Sequence, residues 1–345
     1  MLRESLENAA AGEALSAGEA ERALEEIMGG TASPAVAAAL LTALRVRGES
    51  VGEIVGFARA MRRFAYKVEA PEGVIDTCGT GGDAKGTINI STAAAFVARG
   101  AGVVVAKHGN RAATSQAGSA DVLEVLGAEI GLGPEEVGRC INEAGIGFMF
   151  ARTHHPAMRH VAPVRADLPF RTVFNLLGPL TNPAGAKRQL VGVFGGDYVR
   201  PMAEALRELG AKKALVVHGK DGLDEITVTC PTLVAEVSDG AVTEYEISPE
   251  HFGLPRHAPD GLLGGDAPLN ARVLSGVLSG EEGNAARDVV LLNAGAAIYV
   301  SGRATTMQEG VRLAEESVAS GAAKGALEDF VLTTRRLREG VGGAV

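Results

Sequence analysis

The chain has 345 residues, no tryptophan and only three cysteines, Cys78, Cys140 and Cys230. They are too widely spaced for a CxxC pair or a Cys/His metal set, so they read as reduced, partly buried thiols of a cytoplasmic protein. No apolar run approaches the roughly 18–20 residues of a membrane span. The opening Met1-Leu2-Arg3-Glu4-Ser5 has no signal-peptide h-region, and no membrane partner is expected. Positive charge is also scarce: the formal net charge is −9. That argues against a nucleic-acid partner, which needs a basic face, but not against an anionic small molecule held by local cations, backbone dipoles or a metal. There is no Gly-x-Ser-x-Gly elbow and no HExxH helix, so nothing points to a covalent nucleophile or a zinc site.

What is present is an ordinary globular composition, 46% apolar and 22% charged, long enough for one large domain or two. The first 65 residues read as helices only. Ser16-Ala17-Gly18-Glu19 and Ser50-Val51-Gly52-Glu53 match the capping box, and Ser33-Pro34 sets an N-cap before a proline. Gly29-Gly30 and Gly48 mark helix ends, and Ala23, Leu24, Ile27, Met28 and then Val36, Leu40, Leu41, Leu44 recur at helical spacing. Near Glu69–Gly73 the pattern changes. Short buried-strand runs at Val74–Ile75, Val103–Ala106, Ile146–Phe150, Leu190–Phe194 and Ala214–His218 alternate with helical segments at Thr92–Arg99, Asp121–Leu126, Pro134–Ala144 and Val199–Leu209. Further strands are expected between Thr227 and Tyr245, and helices again over 285–337. The fold class is therefore α/β: a small N-terminal all-helical domain over 1–70, and a large domain over 71–345 with a mostly parallel sheet covered by helices.

Two glycine-rich turns stand where a strand gives way to a helix. The first runs from Asp76 through Gly79-Thr80-Gly81-Gly82-Asp83-Ala84-Lys85-Gly86-Thr87 to Asn89-Ile90-Ser91-Thr92. The second runs from Lys107-His108-Gly109-Asn110-Arg111 to Ser119. A dinucleotide site fits poorly, because the helix starts late and the next strand ends in Lys107-His108 where an acid should bind a ribose. A Walker loop fails because Lys85-Gly86-Thr87 has Gly and Lys in the wrong order. What remains is a phosphate cradle. Its glycines allow close backbone approach, Ser91 caps a helix whose N–H groups face an anion, and Lys107, Asn110 and Arg111 add charge and hydrogen bonds. Asp224-Glu225 follows another strand. Such a pair is commonly a solvated surface feature, but beside a polyphosphate it suits Mg²⁺. Arg152–Arg159, Arg165 and Arg171 form a third group, either a carboxylate or planar-ring site or a basic surface helix start.

In these motifs the chain resembles the anthranilate phosphoribosyltransferase family, over essentially its whole length. Gly79–Asp83 with Asn89–Thr92, Lys107–Arg111, His155-Pro156-Ala157-Met158, Arg165, Arg171–Asn175 with Gly178-Pro179-Leu180, and Asp224-Glu225 match the family's signatures in order. The resemblance implies a cytoplasmic pentosyltransferase of tryptophan biosynthesis that joins anthranilate to 5-phosphoribosyl 1-diphosphate and releases pyrophosphate. It implies two Mg²⁺ ions, and a homodimer formed through the helical domain, which also takes in a segment near 165–185. Carried over by residue, Gly79, Gly82, Asp83, Thr87, Asn89, Ile90, Ser91, Thr92, Lys107, His108, Gly109, Asn110, Arg111, Ala112, Ala113, Thr114, Ser115 and Ser119 would hold the phosphoribosyl diphosphate. Gly79, Asn110, Arg165, His108 and His155 would meet anthranilate. Ser91, Asp224 and Glu225 would hold the metal. His108 is a possible proton acceptor, although no strong base is needed. Ala84 departs from the frequent glycine. The nearest rival is a nucleoside phosphorylase on a similar fold, since Gly118–Glu124 also suits that group, and a non-catalytic nucleic-acid-binding relative is a more distant one.

Overall fold

The computed structural model describes residues 2–112, 116–281 and 283–342. Four helices come first: α1 (Leu2–Ala10), α2 (Ala17–Met28), α3 (Pro34–Arg47) and α4 (Val51–Phe64). Both capping boxes form. Glu53 does more than close its own box: fully buried, it also accepts the Leu15 amide at 2.9 Å and pairs with Arg47, tying α4 to the α1–α2 loop. Ser33 flanks α3, but its side chain makes no capping bond.

Alternation then begins: β1 (Ile75–Gly79), α5 (Ile90–Gly100), β2 (Val105–Gly109), α6 (Ser119–Val125), α7 (Pro134–Ala144) and β3 (Ile146–Phe150). An irregular connector follows, carrying the short helices α8 (Ala151–His154), α9 (Ala162–Asp167) and α10 (Phe174–Leu177). After it come β4 (Arg188–Gly192), α11 (Val199–Glu208), β5 (Lys213–Gly219), the hairpin β6 (Thr232–Ser238) and β7 (Ala241–Ile247), and helices α12 (Ala267–Ser279), α13 (Ala285–Ser301), α14 (Met307–Ala319) and α15 (Ala322–Gly342).

The seven strands form one sheet in the order β3-β2-β1-β4-β5-β6-β7. β1 to β5 are parallel and β6 and β7 antiparallel, joined through Asp239 and Gly240, both at positive φ as a tight hairpin turn requires. α13 is apolar nearly all round and packs on α5 and α14 inside the larger core. Connector helices α9 and α10 pack on α3 and α4, and Arg62 Nε donates to the Leu180 carbonyl at 2.7 Å. β1 and β2 run further than their apolar cores suggest, so Lys107, His108 and Gly109 lie in a strand rather than in a turn.

Candidate active site

Going out from β1, the chain builds β2 and β3 on one side and β4 and β5 on the other. The order reverses between β1 and β4, and the crevice beyond the strand ends at such a switch point is where α/β folds bind ligands. The first glycine turn lies there. The Thr80 amide donates to the Gly192 carbonyl at 2.9 Å, and Thr80 Oγ1 accepts the Phe194 amide at 3.0 Å, fixing the turn to the end of β4. Gly81, Gly82, Ala84 and Gly86 then have φ of 67°, 77°, 59° and 63°. The alanine is the residue that sits there against its preference. Arg171 reaches in from the connector, donates to the Gly82 carbonyl and stacks 4.4 Å over the Phe194 ring.

Asp224 and Glu225 cross the ends of β1 and β4 from the segment after β5. They fit because Gly79 and Gly192 have no side chains. A Cβ on Gly79 would lie 2.5 Å from Asp224 Oδ2, and one on Gly192 would overlap the Asp224 carbonyl. Asp224 Oδ2 accepts the Gly81 amide at 2.7 Å, and Glu225 Oε1 accepts the Ser91 amide at 3.1 Å. The Glu225 carboxylate therefore sits at the N-terminus of α5, where the exposed amide and helix dipole favour it. This corrects the capping expectation: α5 starts at Ile90 with Asn89 flanking it, and Ser91 lies inside its first turn. Asn89 is pinned by the Ala117 carbonyl and by Asn270 instead, and Thr92 Oγ1 is buried without a partner. From beneath, Asn293 on α13 holds both backbone groups of Ile226, at 3.0 and 2.8 Å. Gly192 and Asn293 escaped the sequence reading. Neither carries chemistry of its own, so no motif announces them.

Burial, and then repulsion from Asp83, push Asp224 up to about 7; burial, and then repulsion from Asp224, push Glu225 up to about 8. Asp83 keeps one buried carboxylate oxygen without a partner. Acidic oxygens crowded together at such cost fit a hard divalent cation that would relieve their repulsion. Among the described residues no group of three His, Cys, Asp or Glu side chains forms a protein cage. Mg²⁺ needs none, since it binds through one or two carboxylates and takes its remaining oxygens from water and phosphate.

Lys107 is buried in β2, with its ammonium on the Thr77 carbonyl at 2.5 Å and on Ser91 Oγ at 3.3 Å. It lies beneath the acidic pair; burial lowers its pKa, offset first by Asp76 and less by Glu225. Asn110 and Ala112 follow on the second turn, and Ser119 Oγ donates to the Asn110 carbonyl at 3.3 Å. The Arg111 guanidinium is engaged by Asp121 and Glu124 rather than presented bare. Ala113, Thr114 and Ser115, also expected here, lie outside the described residues. Thr87 bridges to Leu263 at the rim of the first turn.

Next to the second turn lies a less polar wall. The His108 and His155 rings are 5.1 Å apart. Burial drives His108 down to about 3 and His155 to about 4, so both are neutral. His108 Nδ1 faces the Gly178 carbonyl at 3.2 Å and must carry the proton, which leaves a bare Nε2 with no partner. Arg165 stacks 5.5 Å from the Phe174 ring centre, and burial alone lowers its pKa, with no carboxylate to offset it. Arg152 and Arg159 are exposed.

The family comparisons agree with this geometry. Residues 3–65 match the helical bundle domain of a glycosyl transferase family, and residues 71–324 match its a/b domain. The anthranilate phosphoribosyltransferase of Rubrobacter xylanophilus is 80% identical over 337 residues, 98% of each chain. The chain belongs to the anthranilate phosphoribosyltransferase family. Among solved structures, the enzyme of Thermus thermophilus superposes with a TM-score of 0.92 at 50% identity, covering 96% of this chain and 99% of its own. The Saccharomyces cerevisiae enzyme in complex with PRPP and Mg superposes with a TM-score of 0.88 at 30% identity, covering 97% and 98%. Among the described residues no helix is long and apolar enough to cross a membrane.

Proposed function

We propose that the crevice between β1 and β4 transfers the phosphoribosyl group of 5-phosphoribosyl 1-diphosphate to the amine of anthranilate, releasing pyrophosphate, with Mg²⁺ as cofactor. The observation that carries this reading is the buried Asp224–Glu225 pair held against a phosphate-cradling turn. A phosphorylase, which must draw free phosphate into the same place, would meet two carboxylates instead.

Gly82 and, in the first turn of α5, Thr92 present backbone N–H groups to the diphosphate, with Gly79, Asp83, Thr87 and Asn89 around it; the Gly81 and Ser91 amides stay on Asp224 and Glu225. Ser91, Asp224 and Glu225 would hold the metal, two ions in all. When bound, Mg²⁺ supplies neutralisation of the leaving pyrophosphate. Lys107 keeps the buried end of the pair in place through Ser91 and adds positive potential under the turn. Arg165 pairs with the carboxylate of anthranilate, and Asn110 and Gly79 line the path of its amine. Orienting the amine under the ribose carbon supplies proximity, worth up to roughly 7–11 kcal/mol. His108 Nε2 accepts a hydrogen bond from the amine. It is too weak a base to keep the proton, which passes to water once attack makes the amine acidic.

The same reading joins the connector near 165–185 to the helical domain and places a homodimer contact on that domain, where Val46 is 82% exposed. Sedimentation of Val46→Asp against the wild type tests the contact. The activity is tested by following anthranilate fluorescence on mixing with phosphoribosyl diphosphate and Mg²⁺. Persistence of the signal at high enzyme concentration defeats the reading. Asp224→Asn with Glu225→Gln should remove the Mg²⁺ dependence together with most of the activity.

A further inference from the structure

The parallel ladders of the sheet are unequal. β1 with β4, β2 with β3 and β4 with β5 each pair over five residues, whereas β1 and β2 are in register at one pair only, Ile75 with Val105. Beyond it, side chains take over the bonding across the gap. The Asp76 carboxylate accepts the His108 amide at 3.1 Å. The Lys107 ammonium donates to the Thr77 carbonyl. Between these bonds lies Asn182, from the connector. Its NH₂ group donates to Asp76 Oδ2 at 2.7 Å and to the Ala106 carbonyl at 2.8 Å, while its oxygen accepts the Ala184 amide at 2.9 Å. Both partners of the NH₂ are pure acceptors, so only that end of the side chain can face them. Asp76 is 0% and Asn182 5% exposed, so water cannot substitute for either.

We propose that Asn182 and Asp76 are positioning residues that set the separation of the two anion-binding turns. The first turn continues β1 and the second continues β2, so the width of the gap between these strands fixes the distance between the turns. A ligand gripped by both turns senses that width. On the reading above, on which this inference rests, that ligand is phosphoribosyl diphosphate. The acceptor senses it less: its amine meets Gly79, His108 and Asn110, but its charged anchor, Arg165, takes its seat from Phe174 on α10 and not from either strand. The arrangement also couples the turns to the helical part of the molecule, since the connector that delivers Asn182 is held by Arg62 through the Leu180 carbonyl.

The test measures the KM of both substrates for the full-length wild type and for Asn182→Ala, Asn182→Asp and Asn182→Ser, with thermal unfolding alongside. In Asn182→Ala the KM for phosphoribosyl diphosphate should rise about tenfold or more while that for anthranilate moves less than about threefold, as expected for lost buried hydrogen bonds felt by one substrate. Asn182→Asp keeps the volume but sets an acceptor against Asp76, so it should be no better than alanine. Asn182→Ser, which restores one donor, should fall between alanine and wild type, and it carries the test should alanine fail to fold. Rescue by aspartate, an equal rise in both KM values, or a KM for phosphoribosyl diphosphate within about threefold of wild type in all variants overturns the inference. A wild type inactive with both substrates defeats the phosphoribosyl-transfer reading itself, and is thereby distinguished from failure of the positioning role.

Discussion

The sharpest consequence of the site's construction concerns a residue with no side chain. Gly192 ends β4, and the Asp224–Glu225 segment crosses directly over it. A Cβ there would overlap the Asp224 carbonyl and come within 3.2 Å of the Glu225 amide nitrogen. Ordinary contact begins at 3.4 Å, so in Gly192→Ala the segment must retreat, β4 must sink, or both. β4 is paired on both sides over five residues and resists movement. The acidic segment therefore gives way by more than about 1 Å, and displacements of that size cost on the order of 100-fold in rate. The carboxylates leave their bonds to Gly81 and Ser91 as they go.

The assay is a Mg²⁺ titration of phosphoribosyl transfer, read by anthranilate fluorescence, with urea unfolding as the companion measurement. Gly192→Ala should lower kcat/KM by about 100-fold or more and raise the Mg²⁺ concentration for half-maximal rate, while stability falls by about 1–3 kcal/mol, the usual cost of overpacking. Gly325→Ala is the control: nothing lies within 4 Å of a Cβ there, and α15 should gain up to about 1 kcal/mol. A Gly192→Ala enzyme with kcat/KM within about threefold of wild type and an unchanged Mg²⁺ requirement would refute the claim that close backbone approach places the acidic pair.

Three further outcomes follow from the same geometry. Arg165→Ala should raise the KM for anthranilate by about 10- to 100-fold, the worth of a charged hydrogen-bonded pair, with melting temperature nearly unchanged because no protein carboxylate loses a partner; a drop in melting temperature without a KM change would contradict it. His108 and His155 lie below the ordinary histidine value of 6.5, so their contribution to stability is present above about pH 6.5 and lost as pH falls toward 4, about 1.4 kcal/mol per pH unit for each. The raised carboxylates Asp224 and Glu225 act oppositely, their contribution being full below the ordinary values of 3.8 and 4.5 and lost as pH rises from there through 7–8, but they are common to wild type and a His108→Asn, His155→Asn double variant. Between pH 5 and 7 the wild-type urea midpoint should therefore rise relative to that of the double variant, and parallel curves would disprove buried neutral imidazoles. Ala84→Gly removes about 1–2 kcal/mol of left-handed strain and returns roughly half of it as unfolded-chain entropy, so a gain of up to about 1 kcal/mol is expected in urea unfolding; a loss would show that the strain is not borne by this residue.

The sequence exposes this fold unevenly, for physical reasons. Capping boxes, helical periodicity and the apolar cores of β1 to β5 are local signals, and they name the helical start and the α/β remainder. The glycine turns and Asp224-Glu225 are legible because phosphate and divalent cations demand particular groups. What stays hidden is whatever is fixed by a distant partner. Asp76, Lys107 and His108 look like the polar end of a strand giving way to a turn, yet they continue two strands into the core, since each has its bond supplied from across a gap that only the folded sheet defines. Ser91 reads as a helix cap because its own neighbourhood suits one. The cap is in fact the Glu225 carboxyl group, 134 residues away, whose Oε1 takes the Ser91 amide that a local hydroxyl would otherwise have to satisfy. The same placement explains why an enzyme can hold two repelling carboxylates in its core. Each is anchored by one backbone amide, of the first glycine turn or of α5, so on the proposed function the elements that would grip the substrate are also those that would aim the metal ligands, and neither can be displaced without disturbing the other.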